Sequence, residues 1–165
     1  MRLHVPNSTS IAHLLSKVEG FKASIACIDA VMLNSDSIDD LLADVCSILR
    51  ETPGYTGVYV YALREETLVL SAFEGRQTEH IRISPGEGVC GASVKSREIV
   101  VVDDVGDDPR YLACNLETKS EIIVPITRGD AYLAQINIDS DDRATFGPLD
   151  RAFLLEVAAK IAPLF

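Results

Sequence analysis

Residues 121–140, EIIVPITRGDAYLAQINIDS, read as two β-strands joined by a turn, and this reading decides the fold. Glu121 heads an apolar, β-branched run to Ile126, and Arg128-Gly129-Asp130 supplies the turn. In the second strand, alternation puts Tyr132, Ala134, Ile136 and Ile138 on one face and Leu133, Gln135, Asn137 and Asp139 on the other. The first set makes a core face. The second carries Gln135, Asn137 and Asp139 in succession, and on a central strand such groups need water or a ligand.

Upstream, Tyr55 to Leu63 alternates in the same way, turns at Arg64-Glu65-Glu66, and returns as Thr67 to Phe73, a hairpin. Tyr55, Gly57, Tyr59 and Tyr61 share one face, with Thr56, Val58 and Val60 opposite. A glycine between tyrosines leaves a hollow with aromatic walls, which suits a ligand or a closely passing backbone. Between the hairpin and Glu121 the pattern is irregular. It suggests a short strand at His80–Ile83, a turn at Ser84-Pro85-Gly86, a short helix over Val89–Ser96 and a strand over Glu98–Val102. An acidic loop, Asp103–Pro109, and a helical turn at Tyr111–Cys114 complete it.

Helices flank this centre. Leu14, Val18, Phe21, Ile25, Ile28 and Met32 recur at spacings of four and three, a narrow seam for packing within the fold, with a homodimer as the other use. Ser37 with Asp40 resembles a capping box for a helix expected to bury Ile38, Leu41, Leu42, Val45 and Leu49. Gly147-Pro148 opens a last helix with Phe153, Leu154, Val157 and Ile161 on one stripe. The expectation is an α+β domain with a mostly antiparallel central sheet, helices on one face and the irregular excursion on the other. Residues 1–165 form a single domain in this reading. It has a helical part at 10–51, the sheet and pocket at 55–140, and a C-terminal helix at 148–162.

Composition narrows the function. With 47% hydrophobic and 24% charged residues in 165, the chain has the make-up of an ordered globular protein. A formal charge of −10 argues against nucleic acid or an anionic membrane as partner. The N-terminal stretch lacks the apolar core of a secretory signal, so the expected location is cytoplasmic. Four cysteines in that compartment stay reduced at rest, and a disulfide there is transient, catalytic or sensory. There is no CxxC motif, the three histidines lack paired-ligand spacing, and no metal or cofactor is expected.

Two of the cysteines stand out. Cys90 sits in a Gly-Val-Cys-Gly frame at the start of the short helix, where a helix N-terminus favours thiolate, and Cys114 lies in a loop. Two loop thiols that can meet form a nucleophile and a resolver, the parts of a reversible sulfenic-acid cycle. Cys27 and Cys46 fall on or beside helical stripes and read as small buried hydrophobes. Glu121, at a strand entrance, is a candidate buried acid.

Gly88-Val89-Cys90-Gly91, Ala113-Cys114, Ser120–Ile126 and Ile138-Asp139-Ser140 together resemble the GAF domain. Within that superfamily they resemble the free methionine-(R)-sulfoxide reductases, over nearly the whole chain. The resemblance implies a thioredoxin-dependent oxidoreductase with free methionine sulfoxide as substrate. Cys114 matches the catalytic cysteine and Cys90 the resolving one. Glu121 and Asp139 match the carboxylates that handle the sulfoxide oxygen, and Tyr59 a pocket tyrosine. Tyr55 stands where the family usually has tryptophan, and Asn137 where aspartate is usual. Tyr55, Tyr59, Gln135 and Asn137 are then the substrate-binding candidates. The alternative is a non-catalytic GAF sensor that binds a small molecule or responds to oxidants through its cysteines.

Overall fold

The alternation read in residues 55–73 and 121–140 builds a six-stranded sheet in the computed structural model, which describes residues 8–112 and 115–165. In chain order the elements are α1 (Ser8–Asn34), α2 (Ile38–Arg50), β1 (Gly57–Arg64), β2 (Thr67–Gly75) and β3 (Arg82–Ile83). There follow α3 (Gly88–Ser96), β4 (Val100–Val102), β5 (Ser120–Arg128), β6 (Ala131–Ser140) and α4 (Pro148–Ile161). The strands lie in the order β3-β2-β1-β6-β5-β4, and each neighbouring pair is antiparallel.

One face of the sheet is closed by α1, α2 and α4. Val58 and Val60 of β1, Ile122, Val124 and Ile126 of β5, and Ala134, Ile136 and Ile138 of β6 meet Leu42, Val45, Leu49, Leu154 and Val157 there. Each such aliphatic side chain removed from water stabilises the fold by about 1.5–3 kcal/mol. Phe21 of α1 stacks on Phe153 of α4 with ring centroids 4.1 Å apart, which fixes the long first helix against the last. Ile11 and Leu14, at the start of the α1 seam, are exposed, and so is Ile38, expected to be buried but lying at the first residue of α2. Ser37 caps α2 as expected, its hydroxyl accepting from the Asp40 amide. Cys46 is buried in this core, and burial, with Glu74 adding to it, pushes its thiol up to about 12. It is inert. Cys27, expected to be buried, is instead exposed on α1.

Tyr132 and Tyr55 depart from the faces that strict alternation gave them. Ile126 pairs with Ala134 but Thr127 pairs with Tyr132, so Leu133 is an extra residue, a β-bulge in β6. The bulge shifts the parity of everything before it. Tyr132 therefore leaves the helix-covered face, where alternation had placed it, and joins the face of Gln135 and Asn137. Tyr55 departs for a different reason: it lies in the turn before β1, its amide bonded to the Thr52 carbonyl. Its ring packs among the helix-side core residues and on Phe146, with centroids 5.7 Å apart, on the face opposite Tyr59.

Of the short elements, the His80–Ile83 strand shrinks to Arg82–Ile83 and the Glu98–Val102 strand to Val100–Val102, while the helix at 89–96 starts one residue earlier. Tyr111 and Leu112 are irregular where a helical turn was expected, and its last two residues, Ala113 and Cys114, lie outside the described residues.

Candidate active site

Strand register assembles the polar face. Asp139 of β6 is the cross-strand partner of Glu121 on β5 and of Gly57 on β1. Asn137 faces Ile123 and Tyr59, and Gln135 faces Pro125 and Tyr61. Directly opposed residues have Cβ atoms about 4.5–5.5 Å apart, so Glu121 and Asp139 are immediate neighbours. Each is 4% exposed.

Two carboxyls that close and that dry cannot both ionise easily. Burial pushes Asp139 up to about 6, against the pull of the Thr118 hydroxyl and the Arg76 guanidinium. The Thr118 hydroxyl donates to Asp139 Oδ2 at 3.1 Å. Burial, reinforced by the Asp139 charge, raises Glu121 well above the usual carboxylate range. Glu121 is therefore an acid that holds its proton to a higher pH than an exposed carboxyl does.

Cys90 reaches this pair from α3. A Cβ on Gly91 would lie 2.5 Å from both the Gly86 nitrogen and the Ser84 carbonyl oxygen. Only glycine lets the first turn of α3 press against the preceding turn, and that contact brings Cys90 down onto the sheet. The Cys90 thiol lies 3.8 Å from Glu121 Oε1, and Asn137 Nδ2 donates to Cys90 Sγ at 2.7 Å. Behind Asn137 the hydrogen bonds continue. Gln135 Nε2 donates to Asn137 Oδ1 at 2.7 Å, and the Tyr132 hydroxyl donates to Gln135 Oε1 at 2.6 Å. Tyr132 also touches Ser93 Oγ at 3.3 Å, and Ser93 donates to the Glu98 carbonyl.

The tyrosines divide. The Tyr59 hydroxyl donates to the Arg76 carbonyl and the Tyr61 hydroxyl to the His80 carbonyl, so both tie the sheet to the excursion above it. The Tyr59 ring folds over Gly57, where a Cβ would come 2.9 Å from one ring carbon and 2.8 Å from the hydroxyl. The hollow expected at Gly57 is filled from within the strand. Tyr55 takes no part: its hydroxyl donates to Asp150 Oδ1 at 2.9 Å on the far face of the sheet. A pocket-wall role for Tyr55 is thereby corrected, because the turn before β1 breaks the alternation that had aligned it with Tyr59.

Beside the acids, Arg76 grips Asp141 through two hydrogen bonds and also pairs with Glu117 at 2.6 Å. The cavity over the thiol, lined by His80, Gly88, Cys90, Leu112 and Glu121 among others, measures about 10 Å³, roughly the space of one water. A larger hollow of about 440 Å³ lies under α1 between His13, Lys17, Phe21 and Pro53, away from the thiol and the acids.

Of the residues expected to act, the structure brings together Cys90, Glu121, Asp139, Asn137 and Gln135, with Tyr59 beside them. Cys114 lies outside the described residues. Sequence reasoning missed Thr118, Ser93 and Tyr132. Ser93 had a signal, since it lies one helical turn from Cys90 on the same helix face. Tyr132 had none, because the bulge that turns it inward is set by pairing with β5.

The model of the GAF domain family matches residues 35–165 of this chain. The free methionine-R-sulfoxide reductase of Saccharomyces cerevisiae is 40% identical over 109 residues, which cover 65% of this chain and 60% of that protein. The enzyme of the same name from Escherichia coli is 29% identical over 81% of each chain. Among solved structures, the type II free methionine-R-sulfoxide reductase of Thermoplasma acidophilum is 38% identical, with a TM-score of 0.75 over 77% of this chain and 91% of that one. The Neisseria meningitidis free methionine-R-sulfoxide reductase in complex with its substrate is 28% identical, with a TM-score of 0.82 over 99% and 95%.

Proposed function

Because this chain belongs to the GAF domain family, in its branch of free methionine-(R)-sulfoxide reductases, we propose that it reduces free L-methionine-(R)-sulfoxide to methionine. One observation in the structure carries the reading: a thiol on a helix N-terminus faces a buried carboxyl that holds its proton. That pairing suits a reaction in which a sulfur is attacked while an oxygen must be protonated.

In this mechanism the thiolate of Cys114 attacks the sulfoxide sulfur, and Glu121 delivers its proton to the oxygen. Burial, reinforced by the Asp139 charge, holds that proton on Glu121 beforehand. The oxygen passes to Cys114, which becomes a sulfenic acid, and the substrate sulfur gains the two electrons and leaves as methionine. Cys90 then attacks the Cys114 sulfur. An S–S bond forms, the S–O bond breaks, and the oxygen leaves as water with a proton from the acid pair. Thioredoxin, in the cytoplasm, returns the disulfide to two thiols. Tyr59 walls the site. The chain works as one GAF domain.

The test is an NADPH-linked assay with thioredoxin and its reductase, comparing the free (R) sulfoxide, the free (S) epimer and a peptide-bound sulfoxide. Turnover should be confined to the free (R) form and vanish in Cys114→Ser. Cys90→Ser should give one turnover and stop. Glu121→Gln should lower the rate of the chemical step by about a hundredfold or more. Folded, reduced protein without turnover, or a Cys114 variant that still cycles, overturns the assignment.

A further inference from the structure

Gln135 and Asn137 were candidates for binding substrate, yet they are 0% and 3% exposed and their polar atoms are engaged with one another. The direction of that engagement is informative. Ser93 has one hydroxyl proton and directs it to the Glu98 carbonyl at 3.0 Å. Tyr132 has one, and its hydroxyl sits 2.6 Å from Gln135 Oε1. With Gln135 Oε1 occupied as acceptor, its Nε2 faces Asn137 Oδ1 at 2.7 Å. With Asn137 Oδ1 occupied in turn, the only end of that carboxamide left for Cys90 is the N–H donor, at 2.7 Å from the sulfur. The donors of Tyr132, Gln135 and Asn137 all point the same way, towards Cys90.

We propose that Tyr132, Gln135 and Asn137 are positioning residues for Cys90: an uncharged hydrogen-bond chain that presents a fixed N–H donor to its sulfur and so favours the thiolate. Hydrogen bonding to a charged form stabilises that form, and a donor that cannot reorient is worth more than a mobile one. The ionisable groups around Cys90 make such a donor useful. Glu121 faces it from β5, with Asp139 beside Glu121 on β6, and Glu87 and His80 line the same small cavity. Acids dominate that set, and a thiolate there needs a donor that brings no negative charge. The β6 bulge belongs to the device, because without Leu133 as an extra residue Tyr132 would point to the other face. In the reductase cycle, on which this role rests, Cys90 acts when it attacks the Cys114 sulfenic acid as thiolate. The S–S bond forms while the S–O bond breaks, and water carries off the oxygen with a proton from the acid pair.

The deciding experiment is an ultraviolet titration of thiolate in the reduced full-length protein, with the Cys90→Ser titration subtracted to isolate Cys90. It uses no sulfoxide and therefore reads the chain whether or not the protein is a reductase. Asn137→Leu keeps roughly the size of the side chain and removes the donor without adding a charge. The thiolate pKa of Cys90 should rise by about one unit or more, roughly tenfold less thiolate at a fixed pH below it. Tyr132→Phe removes only the far donor and should give a smaller rise in the same direction, with KM for the sulfoxide unchanged and disulfide formation slowed. Should Asn137→Leu fail to fold, Tyr132→Phe decides alone. A Cys90 titration that is unmoved or shifted downward in the folded variant overturns the proposal, as a packing role alone would leave it unmoved.

Discussion

Each face of the sheet carries buried carboxylate chemistry, and the two faces use it in opposite ways. On the helix-covered face, Asp150 is 1% exposed and fully provided for. Lys17 pairs with its Oδ2 at 2.7 Å, the Gly147 amide donates to the same oxygen at 2.9 Å, and Tyr55 donates to Oδ1. One acid with a cation and two neutral donors ties α1, the approach to β1 and the start of α4 together. On the other face Glu121 and Asp139 stand opposite one another, with the Cys90 thiol beside Glu121. That arrangement does not stabilise the charged forms. A buried acid given donors on every oxygen is a structural tie; a buried acid set against another acid is a proton store.

The strongest way to break this contrast is Asp150→Ala. It leaves the Lys17 ammonium, the Tyr55 hydroxyl and the Gly147 amide without their acceptor, and unfolding in urea should show a loss of about 3 kcal/mol. The thiol chemistry of Cys90 should be unchanged in the folded fraction. A loss well below 1 kcal/mol would remove the distinction between the faces.

Asp139→Asn should act with the opposite sign. The folded pKa of Asp139 is raised to about 6 from 3.8, so the folded state holds a proton that the unfolded chain gives up. By linkage, stability from this site is greatest below the unfolded pKa and falls as pH rises through about 6, where the buried charge appears. The raised pKa corresponds to a cost on the order of 3 kcal/mol above that range. Asp139→Asn should therefore stabilise the protein at about pH 8, and the gain should shrink as pH falls from about 6 to about 4, while turnover drops. Denaturant midpoints across that range measure it. A gain that grows on acidification would reverse the assignment of Asp139 as an acid raised by burial.

The smallest effect is expected at the rim. Glu117, half of an exposed pair with Arg76, should cost less than about 1 kcal/mol when changed to Gln. Because Arg76 also bears on Asp139, the KM for substrate should move more than the unfolding midpoint.

Much of the site could be read in the order of residues. Gln135, Asn137 and Asp139 alternate with Ala134, Ile136 and Ile138, and a strand of that pattern must show one polar face wherever it lies in a sheet. Cys90 between glycines at a helix start was equally legible, since glycine allows the close approach that the Ser84–Gly86 turn demands. Tyr55 was misplaced because alternation was extended across a turn, and Cys27 because its place beside an apolar stripe was taken for burial.

By itself the sequence determined what local geometry controls: which segments are helix or strand, which side of each strand is apolar, and which residues could carry a proton or a thiolate. Only the tertiary structure decided which of these meet. Glu121 is an ordinary carboxyl until β5 pairs with β6 in the register that sets it against Asp139. Tyr132 points away from Gln135 until the same pairing forces Leu133 out of the ladder. Register and bulges are fixed by contacts between distant stretches of chain, and a periodic pattern within one stretch carries no record of its partner.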